Sequence, residues 1–328
     1  MDADDTAALL AGAEVLILGD GPRFTPVEVW ERVGVEEDLA RNLWLAMGFP
    51  HVPEDEVAFT EADVTALHQA AVLLRLGTFD AVRIRQQTRI MSQAVSTIAT
   101  AHAEALSAAV ESGGLLPLLG EDNPLPVLDE LLVYLYRRHL LAAVERVTLA
   151  PDPSAAPVAR AVVGFADLTD FTAMSAAASE SELTDVVDGF AGLAADAVAT
   201  AGGRVVKLIG DEVMFSIEDP HRAADVALTL VEVGEDPSTH PPVHAGLALG
   251  TMLNHHGDLF GSTVNLASRL TDVARPGTVL VNDELAAVLA DDAAYRVKRV
   301  HLRPLKGIGA VDAHAVRRAA DDRRRPLR

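Results

Sequence analysis

Two hydrophobic rhythms follow one another along the chain. From the start to about residue 150 the apolar positions keep helical spacing, and the segments carry helix start signals. TPVEVWERVG offers Thr25 as N-cap, Pro26 at the first helical position and Glu28 to close a capping box; FTEADVTALHQAAVLLRLG repeats the signal with Thr60 and Asp63. The run from Phe79 to Gly114 reads as one long helix and PLPVLDELLVYLYRRHLLAAVERVTLA as another, so residues 1–149 are expected to form an all-α bundle. Trp44, Phe49 and Phe59 are expected in its core, because apolar residues at helical spacing usually pack.

The rhythm breaks at APDPSAAP, residues 150–157, where three prolines among small residues predict a linker. Beyond it short apolar runs alternate with helical stripes. ARAVVGFADL is β-rich, and SESELTDVVDGFAGLAADAVATAGG is a helix with a Ser179/Glu182 capping box. RVVKLIGDEVMFSI predicts a hairpin; HRAADVALTLVEVG a helix, PVHAGLALGTM a strand, STVNLASRLTDVA a helix and GTVLVND a strand. A further helix and a β pair around YRVKRVHLRPLKGIGAV follow. The fold class is α+β, with one sheet in residues 158–317 and a basic tail over 318–328.

Composition narrows the functions open to this chain. Its 328 residues, 49% of them hydrophobic, suffice for two domains with their own cores. The formal net charge of −21 would repel a phosphate backbone, so no nucleic acid is expected as partner. There is no cysteine, hence no disulfide framework and no thiolate metal site. The acidic start MDADDTAALLAG is unlike a signal peptide, and no apolar run reaches the roughly 18 residues of a membrane span. No membrane span and a cytoplasmic location are therefore expected.

Three pairs of residues carry candidate chemistry. Asp167 ends the first strand of the second half and Asp211 sits in the hairpin turn, so on neighbouring strands both carboxylates emerge at one sheet edge. Two acids that close repel unless a cation neutralises them or one stays protonated. An oxygen-only site points to Mg²⁺ or Mn²⁺, ions that complete their shell with water and substrate phosphates. Taken alone, Asp211-Glu212 reads equally well as a polar β-turn. On the helix over 260–273, Asn265 and Arg269 are four apart and share a face, above Val264, Ala267 and Leu270. An amide and a guanidinium side by side can hold a ribose and a phosphate, although an isolated pair of this kind is more often just solvated. Lys207 and Asp258 form the third pair. A lysine donor and a carboxylate acceptor complement the adenine edge, whose N1 accepts and whose 6-amino group donates; guanine presents the reverse.

The segments FADLTDFT, KLIGDEVMF, GDLFGSTVNLASR and LKGI together resemble, in this order, the signature segments of the class III nucleotide cyclase catalytic domain, over about residues 158–317. The resemblance implies a ferredoxin-like, palm-like sheet with flanking helices, ATP as substrate, and a homodimer with composite sites. Asp167, Leu168 and Asp211 of one chain would hold two Mg²⁺ or Mn²⁺ per site; Lys207, Asp258 and Lys306 of the other would bind substrate, with Asn265 and Arg269 in the catalytic roles. One position departs from the family: three residues after Asp167, where a glycine is usual, stands Asp170. An acid there would weaken triphosphate binding or serve as a helix N-cap.

The helical half resembles, in layout and over RNLWLAMGFPHVPEDEVAFTEADV, the inhibitory regulatory domain of soluble actinobacterial class III cyclases, which can make activity depend on pH. A proton or a small molecule is thus an expected signal there. His255 and His256 precede Asp258 and, since an imidazole ordinarily changes charge near neutral pH, read either as a proton switch or as ordinary hairpin histidines. Two other readings stay open: IGDEVMF is also similar to the Gly-Gly-Asp-Glu-Phe turn of diguanylate cyclases, and Asp170 is compatible with a nucleotide-sensing module that does not turn over.

Overall fold

In a computed structural model the described residues are 3–77, 80–113, 123–148, 158–176, 178–234, 241–301, 309 and 312–319. The linker 150–157, Lys306 with the LKGI segment, Phe79 and the end of the tail lie outside them. The chain divides into two compact units, Met1–Val147 and Thr148–Arg328.

The first unit contains α1 (Ala3–Leu18), α2 (Pro26–Val33), α3 (Glu37–Ala46), α4 (Glu61–Arg75), α5 (Ala81–Gly113) and α6 (Leu125–Thr148). Both anticipated capping boxes close: the Thr25 and Thr60 amides donate to Glu28 and Asp63 at 2.8 and 2.7 Å, and each threonine hydroxyl accepts the return bond. Val29, Trp30, Leu43, Phe59, Leu67 and Ile84 form the core. Phe59 is buried as expected and Trp44 packs against it, their ring centroids 4.6 Å apart. Phe49 is not a core residue; it is 48% exposed, because it follows the end of α3 and offers only one face to Trp44.

The second unit is an α+β layer structure, as the alternating pattern implied. Its strands are β1 (Val158–Leu168), β2 (Arg204–Ile209), β3 (Glu212–Ile217), β4 (Val243–His255), β5 (Asp258–Phe260), β6 (Val279–Asn282), β7 (Tyr295–Val300) and β8 (Ala313–Arg318). They form one sheet in the order β2-β3-β1-β4-β6-β8-β7, with β5 folded back on the end of β4. Only β4 and β6 run parallel among the described pairs. The partner of β7 starts at Ala313, later than the stretch expected from sequence, and the strand runs on through Arg318, read there as tail.

Strand alternation sends successive residues to opposite faces. Val162, Phe215 and Leu247 pack under α8 (Glu180–Thr200), α9 (Pro220–Val233) and α11 (Asp283–Ala290), while their neighbours Val163, Met214 and Ala248 pack under α10 (Ser262–Val273). α10 can lie this close because β4 presents glycines beneath it. A Cβ on Gly246 would come within 2.3 Å of the Thr271 amide, and one on Gly250 within 2.6 Å of the Thr263 hydroxyl. The buried stripe Val264, Ala267, Leu270 then fixes which face of α10 remains outside. A five-residue helix, α7 (Phe171–Ser175), starts after Asp170, where the sequence offered a helix N-cap.

Candidate active site

The β1–β3 ladder brings acids to one sheet end. Asp167 pairs in register with Glu212 on β3 and with His244 on β4. Between β2 and β3 the two-residue turn Gly210-Asp211 is entered at φ 64, a left-handed conformation that glycine adopts without strain, and this turn holds Asp211 next to Asp167. Burial pushes the Asp167 carboxyl up to about 7; the charge of Asp211 and a hydrogen bond between the two carboxyls push the same way, against a lowering contact from the Leu168 amide. Glu212 is also pushed up to about 7, first by burial and then by the charges of Asp167, Asp272 and Asp211. The Leu168 side chain is buried, which leaves only its backbone to face a ligand.

Two or more carboxylates held together in a half-buried place are unstable when all are ionised, and a divalent ion removes the conflict. The residues fit such an ion: Asp167 and Asp211 supply hard oxygens of the kind Mg²⁺ and Mn²⁺ prefer. Among the described residues no cluster of three or more His, Asp and Glu side chains would hold an ion unaided. Mg²⁺ at phosphate sites commonly completes its shell with water and substrate oxygens.

The second pair also meets. The register of β2 against β3 slips between Val205 and Lys207, a bulge of the kind that re-aims a side chain. Lys207 Nζ lies 2.6 Å from Asp258 Oδ2, while the Leu259 amide donates to Asp258 Oδ1 at 2.8 Å. Both partners are half exposed, so the ion pair is accessible from solvent. His255, the last residue of β4, and His256, in the turn that follows, are exposed, their ring centroids 3.8 Å apart at a tilt of 49°, with His256 at φ 55. They sit as hairpin histidines.

Asn265 and Arg269 lie on the exposed face of α10, as their spacing required. Arg269 is not free: its Nη1 donates to Asp272 Oδ2 at 2.7 Å. Asp170 occupies the N-cap position of α7 at φ 59 and ψ 22, and its side chain makes no capping hydrogen bond. The left-handed backbone explains why a glycine is at home at this position, and aspartate is among the few other residues that tolerate it.

Sequence reasoning missed Glu212, His244 and Asp272 as members of the acidic end. Glu212 was visible as the residue after the turn, but its pairing with Asp167 is a non-local fact. His244 stands at the start of β4, and Asp272 sits three residues beyond Arg269.

Comparison with known proteins adds independent support. Residues 154–318 match the family model of the adenylate and guanylate cyclase catalytic domain. The chain is 36% identical over 337 residues to an adenylate cyclase of Streptomyces coelicolor, covering 91% of this chain and 87% of that one. It is 39% identical over 288 residues to an adenylate cyclase of Streptomyces griseus, covering 84% and 71% of the two chains. A pH-sensitive adenylate cyclase of Mycobacterium tuberculosis is 33% identical over 338 residues, covering 95% and 82%. The likeness thus includes the helical unit as well as the sheet.

Proposed function

The chain belongs to the class III adenylate and guanylate cyclase family, and we propose that it converts ATP to 3′,5′-cyclic AMP and pyrophosphate at composite sites shared across a homodimer. The observation that carries the choice of base is the Lys207–Asp258 pair at 2.6 Å, a donor and an acceptor set side by side as the adenine edge requires. Relatives named adenylate cyclase, alike over most of their length, support the same reading. Family membership sets aside the diguanylate alternative.

In this reading the ATP 3′-oxygen attacks the α-phosphorus, the bond to the β-phosphate oxygen breaks, and the hydroxyl proton leaves to solvent. Asp167, the Leu168 backbone and Asp211 would hold the divalent ions, Mg²⁺ or Mn²⁺, two per site. When bound, these supply charge neutralisation at the phosphates and a lowered pKa at the attacking hydroxyl. Asn265 of the opposite chain orients the ribose, and Arg269 meets the charge that develops on the phosphoryl oxygens. Lys306 joins Lys207 and Asp258 in binding the substrate. The exposure of Asn265 and Arg269 on α10 supports a role toward a second chain, since neither is spent on the core of its own. The helical unit regulates this chemistry, with a proton or a small molecule as its signal.

Incubating the full chain with ATP and Mn²⁺ or Mg²⁺ and separating the products by chromatography tests the activity. Cyclic AMP and pyrophosphate are expected. Bound but unconverted ATP would instead leave the nucleotide-sensing alternative.

A further inference from the structure

His244 has no role in the chemistry described so far, yet it stands between two fixed points at the acidic end. It pairs with Asp167 across the β1–β4 ladder, and its Nε2 faces Asp167 Oδ2 at 3.5 Å. On its other side, Nδ1 lies 3.1 Å from the Thr169 hydroxyl. The Thr169 amide is itself tied to the Pro242 carbonyl at 2.7 Å, so the hydroxyl is presented from a held backbone. The side chain of His244 is only 13% exposed.

We infer that His244 is a positioning residue for Asp167: Thr169 holds the ring, and the ring in turn aims the Asp167 carboxylate at the divalent ion. The inference rests on the reading of Asp167 as a metal ligand. With the Asp167 carboxylate ionised against a bound cation it is acceptor-only, so an N–H on Nε2 would serve it and Nδ1 would accept from the Thr169 hydroxyl. The relay Thr169–His244–Asp167 therefore has one consistent polarity. Carboxylates that bind metals are commonly oriented in this way by a group behind them, and loss of the orienting partner weakens metal binding about 10- to 100-fold.

Mn²⁺ binding to the full-length chain, followed by titration calorimetry and by the electron paramagnetic resonance signal of free Mn²⁺, tests this without relying on turnover. The parent should bind and Asp167→Ala should not; equal binding by these two would overturn the metal reading itself, and the inference with it. With that reading standing, His244→Ala should raise the Kd about tenfold or more, and His244→Gln, whose amide can still donate toward Asp167, should stay within about threefold of the parent. Thr169→Val should fall between. An unchanged Kd in His244→Ala would overturn the inference. So would loss of binding in His244→Ala to the level of Asp167→Ala without recovery in His244→Gln, since the ring would then be a ligand itself. Metal-free melting temperatures monitor folding. If His244→Ala does not fold, Thr169→Val decides, and an unchanged Kd there would contradict the relay.

Discussion

The tip of the β2–β3 hairpin and the Lys207–Asp258 pair share one strand connection but are left in opposite electrostatic states. At the tip, Asp167, Asp211 and Glu212 are held against one another, and two of them are pushed up to about 7 by burial and mutual repulsion. A few residues away Lys207 and Asp258 neutralise each other at 2.6 Å. The contrast teaches how, in the proposed function, one short hairpin would serve two roles. A cation site is made by leaving acids in conflict, so that the ion supplies what the protein withholds. A base-reading site is made from a donor and an acceptor that satisfy each other at rest, so that neither is stranded when the site is empty.

Removing an acid should break the contrast most severely. Asp167→Ala and Asp211→Ala should each lower kcat by about a thousandfold, the several kcal/mol expected of a lost metal ligand. Steady-state kinetics with saturating Mn²⁺ checks this, and a loss under tenfold would contradict the metal role. The next largest effect belongs to the neutral pair. Replacing Lys207 with Glu and Asp258 with Cys inverts donor and acceptor, and kcat/KM for ATP should fall about a hundredfold while use of GTP rises. Unchanged ATP kinetics would remove the base assignment.

A smaller change should come from detaching the helical unit. A fragment beginning near Pro157 should differ from the full chain in activity by about threefold or more, with a ratio that varies between about pH 5.5 and 8, where histidines change charge. The two should be assayed side by side; equal activity at every pH would sink regulation by the first unit.

The smallest effect sharpens the comparison through stability. Carboxyls raised above their ordinary pKa contribute stability that is full below about pH 4 and is lost as pH rises through about 7. In metal-free protein, Asp167→Asn should therefore gain on the parent by a few degrees of melting temperature between about pH 5 and 8, and added Mn²⁺ should favour the parent. Parallel melting curves across that range would show that the acids are not in conflict.

How much of this was legible beforehand differs by feature and for physical reasons. Local signals read directly: the Thr25 and Thr60 capping boxes, the two long helices and the apolar stripe of α10 are each set by residues within one or two turns. The Asp167/Asp211 conflict was also legible, because strand ends and turn residues locate acids at a sheet edge. Glu212 and His244 were not, since each meets Asp167 only through pairing between distant segments. Lys207 and Asp258 were paired from the sequence by the chemistry of the adenine edge, but the bulge at Val206 beside them is announced by no residue pattern, and Asp272 was hidden by its ordinary place on a helix surface. Asp170 shows the converse: its departure from glycine was plain in the sequence, but the φ of 59 that makes glycine usual there is visible only in the fold.

The central claim, that metal face and ribose face come from different chains, is tested most directly by mixing two inactive proteins. Asp167→Ala removes a metal ligand and Asn265→Ala removes the ribose orienter, so each homodimer has two damaged sites. In a mixed dimer one site carries both lesions, while the other joins an intact metal face to an intact Asn265. Random assembly on co-expression makes about half the dimers mixed, each with one working site in two, so activity should recover to about a quarter of wild type. Mixed dimers isolated through two different tags and no more active than either mutant alone would contradict the shared site and place both residues in one chain's own pocket.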